Sequence, residues 1–361
     1  VKNPPLLLRA LRDLDQLADF SLADWDLLLR QAGSANLTPT LLALIEERGL
    51  LERVPAQARA QLDWVRPLAA RHRQAVRFEV ECIQEALRPT GLPLLLLKGA
   101  AYTMAGLAAG EGRLYGDIDL LVPKARLGEA ESALMLHGWV TTHHDAYDQR
   151  YYREWMHELP PMQHVRRGSS IDVHHAIVPE TAPVRPDPEK LRACARPLAH
   201  TPGLAVLAPQ DMVLHSAVHL FFDGEFEHGL RDLVDLHRLL REFGEAPGFW
   251  SALPARAREL QLARPLFYAL RHCRRLLGTP VPPEVEEALR EDAPGRALGW
   301  LMDRLFGRVL LPRHPSCEDG FSGLARFALY VRGNWLRMPP LLLSRHLFHK
   351  AFLSPRTEQM H

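Results

Sequence analysis

Asp117 and Asp119 are the residues of this sequence best placed to do chemistry. They stand in Gly116-Asp117-Ile118-Asp119-Leu120-Leu121-Val122, an otherwise apolar stretch. Side chains of a strand alternate between its two faces. The two carboxylates therefore share one face, while Ile118, Leu120 and Val122 share the other, the core face. Neighbouring carboxylates repel, and holding them at the mouth of an apolar strand costs stability. A bound divalent cation removes that cost, and phosphoryl chemistry often uses two such ions about 3.5–4 Å apart. The plainer reading makes Gly116-Asp117 a turn dipeptide and Asp119 an edge-strand acid. Against it stand the apolar neighbours of Asp119.

Upstream, the apolar run Leu94 to Leu97 ends in Lys98-Gly99. The string Leu97-Lys98-Gly99, then Arg113, then Asp117-Ile118-Asp119-Leu120-Leu121-Val122, resembles the nucleotidyltransferase fold of the DNA polymerase beta superfamily. More narrowly, it resembles a bacterial family described only as nucleotidyltransferase family proteins. The likeness is strong over residues 93–175 and loose in the flanks.

In the superfamily a Gly-Ser pair follows the first strand, a D-x-D pair sits on the second, and a third carboxylate comes from a later strand. Gly99 fits the first position. Ala100 takes the serine position, a departure that the narrower family shares, carrying Lys-Gly instead. Asp172, in Ser170-Ile171-Asp172-Val173-His174, is the candidate third carboxylate, with a solvated hairpin acid as the alternative.

The resemblance implies transfer of a nucleoside monophosphate from an NTP to an acceptor hydroxyl, with release of pyrophosphate. Asp117, Asp119 and Asp172 would be the catalytic and metal-holding residues, with Mg²⁺ or Mn²⁺ as the cofactor. A metal and a nearby carboxylate make a hydroxyl a better nucleophile at neutral pH. A triphosphate also needs cations and N–H donors. Lys98, Gly99 and Arg113 are the candidates, with a helix opening at Gly99. Lys98 also reads as a snorkelling strand-end lysine and Arg113 as an ordinary loop arginine. His174 shares the face of Asp172 and matches a family histidine. It reads equally as a ligand contact or as a hydrogen-bonded structural residue, and His175 faces the other way.

A second histidine pair, His215 and His219, lies one turn apart on a helix face. Zinc hydrolases use that spacing with a glutamate inside the pair, which is absent here. Asp223, Asp232 and Asp235 could complete a phosphohydrolase site, but the one His-Asp dipeptide, His144-Asp145, lies far off in the chain. The segment reads better as the helical wall of a nucleotide cleft, with Arg231 and Asp235 paired as helix neighbours. Two other readings stay open: a non-catalytic nucleotide-binding module of a toxin–antitoxin or biosynthetic operon, and an enzyme that modifies a protein hydroxyl. The acceptor is therefore open among small molecule, protein and RNA, as is the oligomeric state.

These residues need a scaffold, and the 361-residue chain is long enough to supply one. It is 47% hydrophobic and 24% charged, ordinary for a globular protein. A net charge of +1 gives no global field toward nucleic acid or an anionic membrane. Cys82, Cys194, Cys273 and Cys317 are too scattered for a disulfide framework or zinc ribbon and suit a reducing cytosol. No apolar run approaches the roughly 18 residues of a membrane span. No secretory leader is read, although the chain opens at Val1 without Met. Heavy use of Leu, Ala, Arg and Pro suits a GC-rich bacterial genome.

The pattern predicts an α+β protein. A small mixed-sheet nucleotidyltransferase core over 91–180 lies between a helical region over 1–90 and a helical domain over 181–361. In the first region, Ser21 with Asp24 reads as a capping box. A long helix over 55–87 should kink or split at Pro67. Strands are expected over 94–97, 117–122, 139–143, 154–158, 162–166 and 170–175. A proline-rich linker covers 179–188, and apolar spacing then predicts helices over 210–222, 230–243, 252–277 and 283–289. From Phe321 on, six Lys/Arg meet one acid, Glu358, among interleaved aromatics. That tail suits an acidic partner or, more simply, a packed pair of helices.

Overall fold

In a computed structural model, residues 4–142, 145–339 and 343–344 are described. The centre is a mixed sheet of seven strands: β1 (Leu94–Leu96), β2 (Asp117–Leu121), β3 (Trp139–Thr141), β4 (Met162–His164), β5 (Ser170–His174), β6 (Arg196–Pro197) and β7 (Leu204–Val206). Their spatial order is β3-β4-β5-β2-β1-β7-β6. β2 runs parallel to β5 and antiparallel to β1, while β7 runs parallel to β1. The fold is α+β, with helices on both flanks of the sheet.

Burial explains why the central strands read so clearly. All of β1 is buried, as is β2 beyond Asp117. Their near-continuous leucine runs are those of strands covered on both faces. The helix Lys98–Met104 follows β1 at once and packs on the long helix Ala56–Leu87 and on the helix Pro209–Phe222. The sheet is thus clamped between an N-terminal and a C-terminal helical layer.

Several details differ from the pattern. Pro67 does not split the long helix, which runs from Ala56 through Leu87. Asp63 and Pro67 both face solvent, so the carbonyl that proline leaves unpaired stays hydrated. The expected strand over 154–158 is instead a helical turn, Tyr151–Trp155, braced by the Arg150–Glu154 ion pair. Glu158 keeps a single bridge to His174. The expected helix over 252–277 is three pieces, Phe249–Glu259, Ala263–His272 and Cys273–Leu277, with Gln261 in the left-handed region at the first break. Strands β6 and β7 were not expected, because runs of two and three residues show no period. His143 and His144 lie outside the described residues.

The Ser21–Asp24 capping box forms as read, with both reciprocal bonds present. The four cysteines are free. Among the described residues no helix is long and apolar enough to cross a membrane. The helix Ser322–Arg337 docks on the preceding layer: Arg332 donates to the Phe221 carbonyl, and the Arg337 carbonyl accepts from Thr181. The remaining basic residues of the tail, Arg345, Lys350 and Arg356, lie outside the described residues.

Candidate active site

The register of two strands brings the acids together. In the parallel pair β2/β5, Asp119 lies opposite Asp172 and Asp117 opposite Ser170. Paired residues of neighbouring strands point to the same face, about 4.8 Å apart in the sheet. Ile118, Leu120, Ile171 and Val173 fill the other face and are buried. Asp119 is 5% exposed, whereas Asp117, at the strand's first position, is open to solvent.

Lys98 reaches this face from the neighbouring strand. The Leu97 N–H donates to the Asp119 carbonyl, which locks the end of β1 to β2. The next residue, Lys98, turns with φ of 44°. A non-glycine residue there is uncommon and costs conformational energy, and such residues gather at functional sites. Its Nζ ends 3.4 Å from Asp119 Oδ1. The helix it starts, Lys98–Met104, has seven residues.

His174 is the hinge between two acidic groups. Its Nε2 lies 2.9 Å from Asp119 Oδ1, and its Nδ1 lies 3.1 Å from Glu158 Oε2. Glu158 is held there because Leu159 donates to the Val173 carbonyl and His175 to the His157 carbonyl.

The electrostatics follow from crowding. Burial pushes the Asp172 carboxyl up to about 7, reinforced by the charges of Asp119 and Glu158. Burial likewise raises Glu158. Burial also works against ionisation of Asp119, but Lys98 and the His174 bond outweigh it and hold this carboxyl well below the usual range. Burial opposes charge on His174 too, yet Glu158 and Asp119 raise it above the ordinary histidine value. For Lys98, burial is outweighed by Asp119, Asp223, Asp117 and Glu158, so the ammonium stays charged.

These groups floor a cleft of about 490 Å³, whose opposite wall comes from the helices Pro209–Phe222 and Gly229–Phe243. Arg113 is built into that wall. Its Nε lies 2.6 Å from Asp235 Oδ2, its Nη2 lies 3.8 Å from Asp232, and its guanidinium sits over Tyr115. Arg231 bonds Asp232 and the Leu114 carbonyl. The expected Arg231–Asp235 pair therefore does not form, because Asp235 is taken by Arg113. Gly99 has a steric reason to be glycine. A Cβ there would lie 2.2 Å from Arg113 Nη1 and 2.8 Å from the Tyr115 ring.

The structure thus gathers Lys98, Gly99, Arg113, Asp117, Asp119 and Asp172 around one cleft, with His174 beneath. One set of ligand-type atoms within 4.8 Å comprises Asp119, Asp172 and His174, and Asp117 is outside it. Among the described residues neither His215 nor His219 belongs to such a set. His219 instead faces Asp223 and Asp232 at 3.8 and 4.0 Å. Burial, then Lys98, depresses both histidines and keeps them neutral. Sequence reasoning missed His157, Tyr102 and Tyr115. The only signal for His157 was its place beside Glu158, in a segment that read as an ordinary strand.

The donors fit a hard divalent cation. Asp117, Asp119 and Asp172 offer carboxylate oxygens on one face, the ligands Mg²⁺ and Mn²⁺ favour. Among the described residues no donor or cation pairs with the Asp172 carboxyl, half-buried beside another acid.

A family model described as "Uncharacterised nucleotidyltransferase" matches residues 21–278. No curated protein and no solved structure matches the chain. The matched span takes in the whole sheet and both helices of the cleft wall. The chain belongs to the uncharacterised nucleotidyltransferase family.

Proposed function

We propose that the chain transfers a nucleoside monophosphate from an NTP to an acceptor hydroxyl, releasing pyrophosphate. The observation that carries this reading is the register pairing of Asp119 with Asp172 beneath Lys98 and Gly99, in a chain of this family. Asp117, Asp119 and Asp172 would hold Mg²⁺ or Mn²⁺. Bound there, the cation would neutralise the triphosphate and acidify the acceptor hydroxyl.

The chain's own groups divide the remaining work. Lys98 offers its ammonium to phosphate oxygens, exchanging its contact with Asp119. Gly99 leaves the turn open for close approach of the triphosphate. Arg113, held by Asp235 and Asp232, is a fixed guanidinium in the cleft wall and needs no reorganisation during reaction. His174 holds Asp119 in place. Asp172, with a carboxyl poised near neutrality, accepts the acceptor's proton as the oxygen–phosphorus bond forms and the bond to pyrophosphate breaks. Positioning and charge neutralisation supply most of the rate.

The test is incubation with each NTP, labelled in the α- or the γ-phosphate, with Mg²⁺ or Mn²⁺ and a cell extract as acceptor source. The α-label should enter a product and the γ-label should leave as pyrophosphate. Transfer of the γ-label, or equal α-labelling by Asp119→Asn, would overturn the reading.

A further inference from the structure

The far side of His174 holds a group of ligand atoms that nucleotidyl transfer does not use. One ligand atom each of His157, Glu158 and His174 lie within 4.8 Å of one another. We propose that these three residues form a second cation site, selective for a transition metal of the zinc class and separate from the carboxylates of β2 and β5.

The first argument is a pair of orphaned imidazole nitrogens. Nε2 of His174 faces Asp119. Its Nδ1 lies 3.1 Å from the Glu158 carboxylate. The two approach without hydrogen-bond geometry, and both Nδ1 of His174 and Nδ1 of His157 are buried atoms with no hydrogen-bond partner among the described residues. Buried nitrogens without a partner, gathered beside a carboxylate, suit a cation held between them. A spacing of about 3.3 Å follows for two ligands about 2.0 Å from a tetrahedral ion, close to the observed Glu158–His174 approach.

The second argument is the donor set. Two imidazoles and one carboxylate suit zinc, whereas magnesium prefers oxygen alone. The set also leaves a fourth position for water. The third argument is support. A metal-bound histidine usually gives its other N–H to a carboxylate, and Asp119 already occupies that place for His174. The ligand segment itself is pinned to β5 by the Leu159–Val173 and His175–His157 backbone bonds. His157 and Glu158 are only half-buried, so an ion has a way in. An ion on Nδ1 fixes the Nε2 hydrogen on Asp119, which makes this site a positioning device for that acid.

The test is Zn²⁺ titration of the full chain after chelator stripping, read by calorimetry against a competing chelator. Affinity should fall at least about tenfold in His157→Ala and in Glu158→Gln, and stay within about threefold of wild type in Asp172→Asn. Melting curves check that each variant is folded. Ring ¹⁵N spectra of the wild type need no variant, and two Nδ1 signals should move on adding Zn²⁺. Absence of a wild-type zinc site, smaller losses in both ligand variants, an equal loss in Asp172→Asn, or unmoved ring signals would each overturn the proposal. Because the readout is binding, the result is independent of whether transfer occurs.

Discussion

Asp172 is the most strained charge of the cleft, and its strain has a measurable sign. Its folded pKa, pushed up to about 7, lies above the unfolded value of about 3.9. Folding therefore takes up a proton. The contribution to stability is complete below about pH 4 and is lost as pH rises through about 7. Without metal, the melting temperature should fall between pH 5 and pH 8, and Asp172→Asn should flatten that fall, melting higher than wild type at pH 8. The same proton competes with a cation, so Mn²⁺ affinity should weaken by up to about tenfold per pH unit below pH 7 and level off above it. Asp172→Asn should also reduce turnover by at least about a hundredfold, with a smaller change in NTP affinity, because its role lies in the transition state. An unchanged rate in this variant would make Asp172 a bystander and bring Glu158 forward as the third acid. Gly99 adds a steric case. Gly99→Ala places a methyl group against Arg113 and Tyr115 and should cost about 1–3 kcal/mol by urea melting. A neutral result would mean that the Arg113 wall yields readily.

At the scale of elements, β1, β2 and β5 were legible because burial on both faces demands apolar runs, and the period of two made the interrupting aspartates conspicuous. The shared face of Asp117 and Asp119 followed from the same period. What could not be read was partnership between strands. Nothing local in the chain says that Asp119 aligns with Asp172, since register is set by long-range pairing. β6 and β7 escaped for a related reason: β7 gains its place from β1, not from a pattern of its own. The segment around Glu158 was misread as a strand because its helical turn is decided by an ion pair and by aromatic packing. Arg113 lines the cleft, but its tie to Asp235 joins a loop to a distant helix, and the nearer Arg231 looked the more natural partner for that acid. Leu120, fully buried on the core face of β2, offers an element-scale check. Leu120→Ala should cost about 2–5 kcal/mol and weaken metal binding indirectly. A loss below about 1 kcal/mol would contradict the packing of that face.

At the scale of the whole molecule, the family match ends at residue 278, but the core does not. Phe306, from the helix Arg296–Val309, is fully buried against Phe221, Tyr268 and His272. Arg332, from the last described helix, lies over two of the same rings. The C-terminal helices thus brace the outer side of the helix Pro209–Phe222, whose inner side forms the cleft wall. Phe306→Ala should cost about 3–5 kcal/mol, and deleting residues 279–361 should leave a chain that unfolds early and binds nucleotide poorly. A truncated chain that melts like the full one would show that the matched span is self-sufficient.

The central claim, that Asp119 belongs to a joint metal and nucleotide site, meets its most direct test in calorimetry. Mn²⁺ would be titrated into the full chain with and without a non-hydrolysable NTP, for wild type and for Asp119→Asn. In the wild type Mn²⁺ should bind weakly alone and at least about tenfold more tightly with the nucleotide, because the phosphates supply ligands of their own. In Asp119→Asn that coupling should vanish while the protein stays folded. Equal coupling in the folded variant would contradict the account.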